Sequence, residues 1–387
     1  MLVKYRVKHP NVLNIRNGRN GDKFVRQPGS RAVWSVLLGL ALAGVAAALL
    51  LAAGHAKVFA AAAQDGSIGG LKAKFTQVNG VRARYYEYGK GEPMVMLHGG
   101  FMANSSTANV FSRNIRGLAE HFHVFALDGL GSGMTGNPEN DKDYSVQGDI
   151  DFTYGFIQTM KLGPVHLVGH SAGGGIAMDL AIEHPEVVKT LTILAAGPED
   201  TSGFSGDTKL TAMLKKCPDQ STYAGLKCRA GSLAWLPDAF EDEYWQADEM
   251  MAMLPKTKEA RAKLSSGLGA NFYGKDYRAW QEKMWDRVSS GGALQMPVLM
   301  VAGSDDVLDW PADAPHATLQ RELGLFHIVA AKNPRVKMIV IGNGGHFMYR
   351  EHPEEFNADL VSFIEFSARH PKAPAISAGQ LDKPFYQ

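Results

Sequence analysis

Ser171 stands in the stretch LVGHSAGGGIAM, residues 167–178, with glycines two positions away on either side. A serine hydroxyl is a poor nucleophile until a base removes its proton and an acid orients that base. Both residue types follow along the chain. His346 lies in the glycine-bearing run GNGGHF, and Asp306 lies in GSDDVLD, three residues past Gly303. Serine, aspartate and histidine in this order can carry acyl transfer through a covalent intermediate. The oxyanion formed in that reaction needs backbone N–H donors, and Gly100 in MVMLHGGF and Ala172 after the serine are the candidates.

A G-x-S-x-G match is weak by itself in a chain of 387 residues containing 42 glycines, so its surroundings must decide. AKFTQVNGVRARYYEYG, residues 73–89, consists of two alternating runs joined by Asn79-Gly80, which predicts a hairpin. Apolar runs then alternate with helical stretches. PMVMLHG, HVFALDG, PVHLVGH and VVKTLTILAAG read as strands, with helical periodicity over 110–121, a segment over 144–160 and a helix over 172–183. Apolar strands without polar alternation, separated by amphipathic helices, predict a mostly parallel sheet with helices on both faces. Ser171 then falls at a strand-to-helix turn tight enough to require Gly169 and Gly173.

The rhythm breaks over 198–295, where DEYWQADEMMAML and DYRAWQEKMWDRV suggest a helical cap. It resumes with PVLMVAG, a helix over 316–331, VKMIVIG and a helix over 353–369. The expected organisation is a basic arm (1–31), a membrane anchor or signal segment (32–54), a linker (55–72), a first core half (73–197), the cap (198–295), a second core half (296–370) and a tail (371–387).

The 40 Lys and Arg nearly balance the 39 Asp and Glu, so no overall basic field recruits nucleic acid. The local charge is uneven. Before Ala32 the basic residues Lys4, Arg6, Lys8, Arg16, Arg19, Lys23, Arg26 and Arg31 face only Asp22. Residues 32–54 carry no charge, a span long enough to cross a bilayer, and the positive-inside rule would place the catalytic domain on the extracytoplasmic side. Cleavage of a signal near KVFAAAAQ, with export, is the alternative. Cys217 and Cys228 would form either a short disulfide or two free thiols, and no cysteine and histidine pattern suits a metal. The expected partners are a small-molecule substrate and the membrane, with no cofactor.

HGGF, DGLGSG, GHSAGG, GSDD and GHFMYREHPEEF in sequence resemble the α/β-hydrolase superfamily from about residue 75 to 366. That resemblance implies the fold, a capping insertion and a two-step hydrolysis in which Ser171 is acylated and water activated by His346 releases it. Asp305 and Asp309 in the same loop, or Glu199 and Asp200 after the preceding strand, are the alternatives to Asp306. His98 is expected to orient the oxyanion loop, His170 to shape the pocket and Asp128 to brace a turn. Met250, Met251, Met253, Trp235, Trp245, Trp280 and Trp285 could line a pocket but are expected as cap core, the usual role of such stripes.

HGGF and EHPEEFN also resemble the hydrolases that cleave carbon–carbon bonds in aromatic ring-fission products. Those enzymes usually place Asn before the serine and Trp after the histidine, where this chain has His170 and Phe347. Their substrate-carboxylate arginine has four candidates here, Arg229, Arg261, Arg278 and Arg287. The sequence therefore favours a carboxylic ester as substrate, with carbon–carbon hydrolysis and non-catalytic ligand binding as alternatives.

Overall fold

A computed structural model describes residues 65–100, 102–103, 106–197, 209–219, 222–265, 276–290, 293–308 and 316–371. The hairpin forms as expected. Strands β1 (Ala73–Val78) and β2 (Val81–Tyr88) pair antiparallel, with Asn79 and Gly80 both at positive φ as a two-residue turn of this kind requires. β3 (Pro93–Leu97), β4 (His123–Leu127), β5 (Val165–His170), β6 (Val188–Leu194), β7 (Val298–Gly303) and β8 (Val336–Ile341) complete the sheet. Its order is β1-β2-β4-β3-β5-β6-β7-β8, antiparallel in the first two pairings and parallel in the other five.

Successive side chains of a strand point to opposite faces, and both faces here are apolar. Met94 and Met96 enter one buried layer while Val95 and Leu97 enter the other. This explains why the central strands read as continuous apolar runs rather than alternating ones. The helices that position the site are α1 (Ile115–Leu118), α2 (Val146–Thr159) and α3 (Ala172–Glu183), then α4 (Lys209–Leu214), α5 (Tyr223–Leu233), α6 (Asp242–Ala252), α7 (Pro255–Lys263) and α8 (Asp276–Ser289). α9 (Ala317–Ala330), α10 (Met348–Glu351) and α11 (Pro353–Arg369) follow. Between β6 and β7 the described residues are helical and hold no strand.

Two expectations change. The helix expected over 110–121 is broken into a 3₁₀ turn at Ala108–Phe111 and the short α1. The buried Asn114 at the break donates its side-chain amide to the Tyr349 carbonyl at 2.7 Å, so its polar group serves a tertiary contact. The membrane-anchored localisation is also corrected. No helix among the described residues is long and apolar enough to cross a membrane, a crossing needing about 20 predominantly apolar residues. The longest described helix, α11, has 17 residues and buries Phe356, Leu360, Phe363 and Ile364 on one stripe. The stretch 32–54 lies outside the described residues.

Cys217, just after α4, and Cys228 on α5 form a disulfide with their Cα atoms 5.6 Å apart.

Candidate active site

β5 ends at His170, and α3 begins at Ala172. The residue between them, Ser171, has φ 52° and ψ −124°, a strained backbone that a side-chain-bearing residue adopts only where its surroundings enforce it. The enforcement is visible. Ser171 N–H donates to the Leu194 carbonyl of β6 at 2.9 Å, and the Ser171 carbonyl accepts from Gly174 at 2.8 Å. A Cβ on Gly169 would strike the Gly173 carbonyl, and one on Gly173 would strike the carbonyls of His98 and Leu97. The glycine spacing thus follows from backbone crowding around one turn.

The loop after β3 runs directly against that turn. A Cβ on Gly99 would lie 2.9 Å from both Ser171 Cβ and His170 Nδ1, and Gly100 follows at φ 74°. Ala172 opens α3, so its N–H lacks an intrahelical partner and lies at the positive end of the helix dipole. Both candidate oxyanion donors therefore belong to backbone that borders Ser171. His98 stabilises this loop. Its Nε2 accepts from Gly129 N–H at 2.9 Å, which leaves Nδ1 to donate to the Gly99 carbonyl at 2.7 Å. Burial lowers the His98 pKa, in keeping with the neutral ring this pattern needs.

Asp306 and His346 meet across the loops that follow β7 and β8. His346 Nδ1 lies 2.7 Å from Asp306 Oδ2, with both residues buried. Asp306 Oδ1 accepts from Leu308 N–H at 2.9 Å, fixing the carboxylate. The two loops can approach because Gly303 has no Cβ to strike the carbonyls of Gly344 and Gly345. Asp305 faces elsewhere and accepts from Ser304 Oγ at 2.6 Å. Asp309, Glu199 and Asp200 lie outside the described residues, as does Phe101.

His170 contributes a contact that its sequence position did not disclose. Its Nε2 donates to the backbone carbonyl of His346 at 2.9 Å, and its ring packs 4.7 Å from the His346 ring. Burial, followed by the neighbouring His346, holds its pKa well below the ordinary value, so it is a neutral hydrogen-bonding brace.

Asp128 braces the turn after β4. It pairs with the fully buried Arg84 at 2.8 Å and accepts from the N–H groups of Ala108 and Met134. Burial is the largest influence on its pKa and would raise it, but the Arg84 charge, the neighbouring His98 and the hydrogen bonds from Ala108 and Arg84 together leave it lowered. Arg84 and Tyr86 each donate to Asn109 Oδ1 at 2.7 Å, and Asn109 Nδ2 donates to Asp248 of α6 at 2.9 Å. A polar chain thus links the sheet to the cap. Asp248 stands on the buried face of α6 beside Tyr244 and Met251, an acid on an apolar stripe that burial pushes up to about 7. Asp149 behaves likewise. It accepts from Leu130 N–H at 2.9 Å, borders a cavity of about 20 Å³ shared with His98 and Gly100, and is pushed up to about 7 by burial.

The cap arginines divide clearly. Arg287 is committed to Asp179 at 2.5 Å and Glu183 at 3.4 Å. Arg261 on α7 donates to the Ala103 carbonyl, just beyond the Gly99–Gly100 loop, at 2.9 Å. Lys256, also on α7, donates to the carbonyls of Gly131 and Ser132 at 3.0 and 3.3 Å, and burial lowers its pKa to about 8. Of the expected cap core, Trp245 and Met251 are buried, whereas Trp235 and Met253 are exposed. Trp280 packs against α3, where a Cβ on Gly175 would meet its ring at 2.6 Å, and its Nε1 donates to Asp179 at 2.9 Å.

A family model described as alpha/beta hydrolase fold matches residues 92–353. The chain is 26% identical over 288 residues to the (E)-2-((N-methylformamido)methylene)succinate hydrolase of Acinetobacter baylyi, covering 74% of this chain and 95% of that one. It is 25% identical over 285 residues to the 2-hydroxymuconate semialdehyde hydrolase of a Pseudomonas species, covering 74% and 91%. Among solved structures, a meta-cleavage product hydrolase from Pseudomonas fluorescens aligns with a TM-score of 0.60 at 21% identity, covering 78% of this chain and 98% of that one. That last likeness is one of fold.

Proposed function

The chain belongs to the alpha/beta hydrolase fold family, and from that premise we propose that it is a serine hydrolase cleaving a carbon–carbon bond in an acidic ring-fission product. The observation that carries the serine-hydrolase part is the buried 2.7 Å pair of His346 and Asp306 on the same sheet edge as the strained Ser171. The preference for carbon–carbon cleavage draws support from the relatives, several of which are named for hydrolysis of unsaturated oxo acids. Arg261 and Lys256 of α7, bonded to the carbonyls of Ala103 and Gly131 in the loops that follow Gly100 and Gly129, are the cations that would receive a substrate carboxylate in this reading.

In this reading Asp306 holds the Nδ1–H of His346, leaving Nε2 to take the proton from Ser171 Oγ as it attacks the substrate ketone. The N–H groups of Gly100 and Ala172 receive the oxyanion, a contribution of a few kcal/mol for each donor. Collapse of the tetrahedral adduct breaks the carbon–carbon bond, and the departing carbon takes the proton from His346 Nε2. Water then attacks the Ser171 ester, with His346 again accepting and returning the proton.

Ester hydrolysis is the second reading, favoured by a specific pair of residues. His170 and Phe347 occupy the positions where the ring-fission hydrolases usually have Asn and Trp, and His170 spends its Nε2–H on the His346 carbonyl. A ring-fission dienoate and short-chain nitrophenyl esters assayed side by side, with Ser171→Ala as control, test both. Turnover of the dienoate alone supports the first reading, and turnover of esters alone replaces it with the second. A folded protein that takes up no fluorophosphonate overturns both in favour of ligand binding without turnover.

A further inference from the structure

Glu351, the last residue of α10, lies five residues after His346 and is 6% exposed. Its Oε2 accepts three backbone N–H bonds, from Gly345 at 3.1 Å, Trp235 at 3.1 Å and Leu236 at 3.2 Å. The first donor is the amide next to His346. The other two belong to the cap segment leaving α5. The same segment grips His346 directly, because the Leu233 carbonyl accepts the His346 N–H at 2.9 Å. Gly345 permits this approach, since a Cβ there would lie 2.6 Å from both Leu233 O and Trp235 N.

The residue before Glu351 makes a parallel attachment. Arg350 Nη2 lies 2.5 Å from Glu241 at the head of α6, and its guanidinium stacks over the rings of Phe240 and Tyr244 at 4.8 and 4.7 Å. α10 is therefore a block that follows the histidine loop in sequence and holds the cap in space. Three backbone N–H groups converging on one buried oxygen tie Gly345 and the adjacent cap residues 235–236 to the end of α10.

We propose that Glu351 is a positioning residue that makes the seating of cap residues 233–236 and the alignment of His346 a single event. Glu351 does not touch the reacting atoms and acts through Gly345 and the backbone of His346. The proposal rests on the serine-hydrolase reading of Ser171 and His346. A displacement of the imidazole by a fraction of an ångström is enough to slow proton transfer, whereas substrate contacts elsewhere under the cap are unaffected.

Two variants separate reach from charge. Glu351→Gln keeps an oxygen at the same reach, and Glu351→Asp keeps the charge but withdraws it by one methylene. With a chromogenic substrate that the wild type turns over, Glu351→Asp should lower kcat about 10- to 100-fold with KM within about threefold, and Glu351→Gln should recover most of the loss. The hydrogen-bonded Nδ1–H proton of His346, read by NMR without turnover, should shift or broaden in Glu351→Asp and return in Glu351→Gln. Wild-type kcat and an unchanged resonance in folded Glu351→Asp overturn the proposal, as does a loss confined to the melting temperature. A wild type that neither takes up fluorophosphonate nor turns over any substrate overturns the serine-hydrolase reading instead. The resonance comparison then still decides whether Glu351 aligns His346.

Discussion

Arg84 and Asp128 face each other at 2.8 Å with neither side chain reaching solvent. The pair joins β2 to the end of β4 and continues through Asn109 to Asp248 of the cap. Removing one member of a buried ion pair strands the other charge, at a cost of roughly 3–5 kcal/mol. Asp128→Ala should therefore lose that much stability in denaturant unfolding. Catalytic activity per folded molecule should fall far less than in any variant of Ser171.

Ser171 carries backbone strain that glycine would not. A non-glycine residue in such a region costs on the order of 1–3 kcal/mol. Ser171→Gly should unfold at higher denaturant than Ser171→Ala, and both should be inactive and unlabelled by fluorophosphonate. Equal midpoints for the two variants would contradict the strain assigned to this turn.

Asp306 Oδ2 lies 2.7 Å from His346 Nδ1, and in the proposed mechanism it accepts from that nitrogen and orients the ring. Replacing it with Asn presents an amide N–H or a weaker acceptor to that nitrogen and favours the wrong tautomer. Asp306→Asn should lower kcat by roughly 10⁴-fold with an unchanged circular dichroism spectrum. Asp305→Asn, bonded only to its neighbour Ser304 through its side chain among the contacts described above, should remain within a few-fold of wild type.

Asp149 and Asp248 are both pushed up to about 7 by burial. Each native carboxyl holds its proton between roughly pH 4 and 7, where the unfolded chain has released it. Stability then falls as the pH is raised across that window, by up to about 4 kcal/mol per group. Asp248 accepts hydrogen bonds from Asn109, Tyr244 and Thr107, which favour its charged form, while burial and the facing Asp128 disfavour that form and prevail. Denaturant midpoints at pH 5 and pH 8 should differ in favour of pH 5, and Asp248→Asn should shrink the difference.

The Cys217–Cys228 disulfide closes a loop of 11 residues' separation within the cap. Loop-closure entropy gives it about 3 kcal/mol. Reduction should expose α4 and α5 to limited proteolysis before the sheet core is cut.

The sheet and the strained turn were legible because each rests on local chemistry. Asn79-Gly80 demands its hairpin, and Gly169 and Gly173 have meaning only around a tight strand-to-helix turn. Asp306 and His346 could be read as a pair because loops at the carboxyl edge of parallel strands converge. The disulfide was only one of two readings, since sequence separation does not say how α4 and α5 pack. Arg84, Asn109 and Glu351 were illegible for the same reason. Asn109 from Arg84, Asp248 from Asn109 and Trp235 from Glu351 lie between 25 and 139 residues away, and nothing in their immediate neighbours marks them. Asp248 left a faint signal, an acid on the Tyr244–Met251 stripe of an otherwise apolar helix face. The broken helix near Asn114 misled because its apolar spacing serves two short turns as well as one long helix.

The packing of Trp280 has a practical consequence. Its ring rests on Gly175, one helical turn beyond Ser171, and its indole N–H is held by Asp179. Indole emission depends on the polarity around the ring. Any lifting of α8 from α3 would wet that ring and redden its fluorescence. In a variant that keeps Trp280 alone of the chain's 6 tryptophans, that emission is an unlabelled optical gauge of how α8 sits on α3.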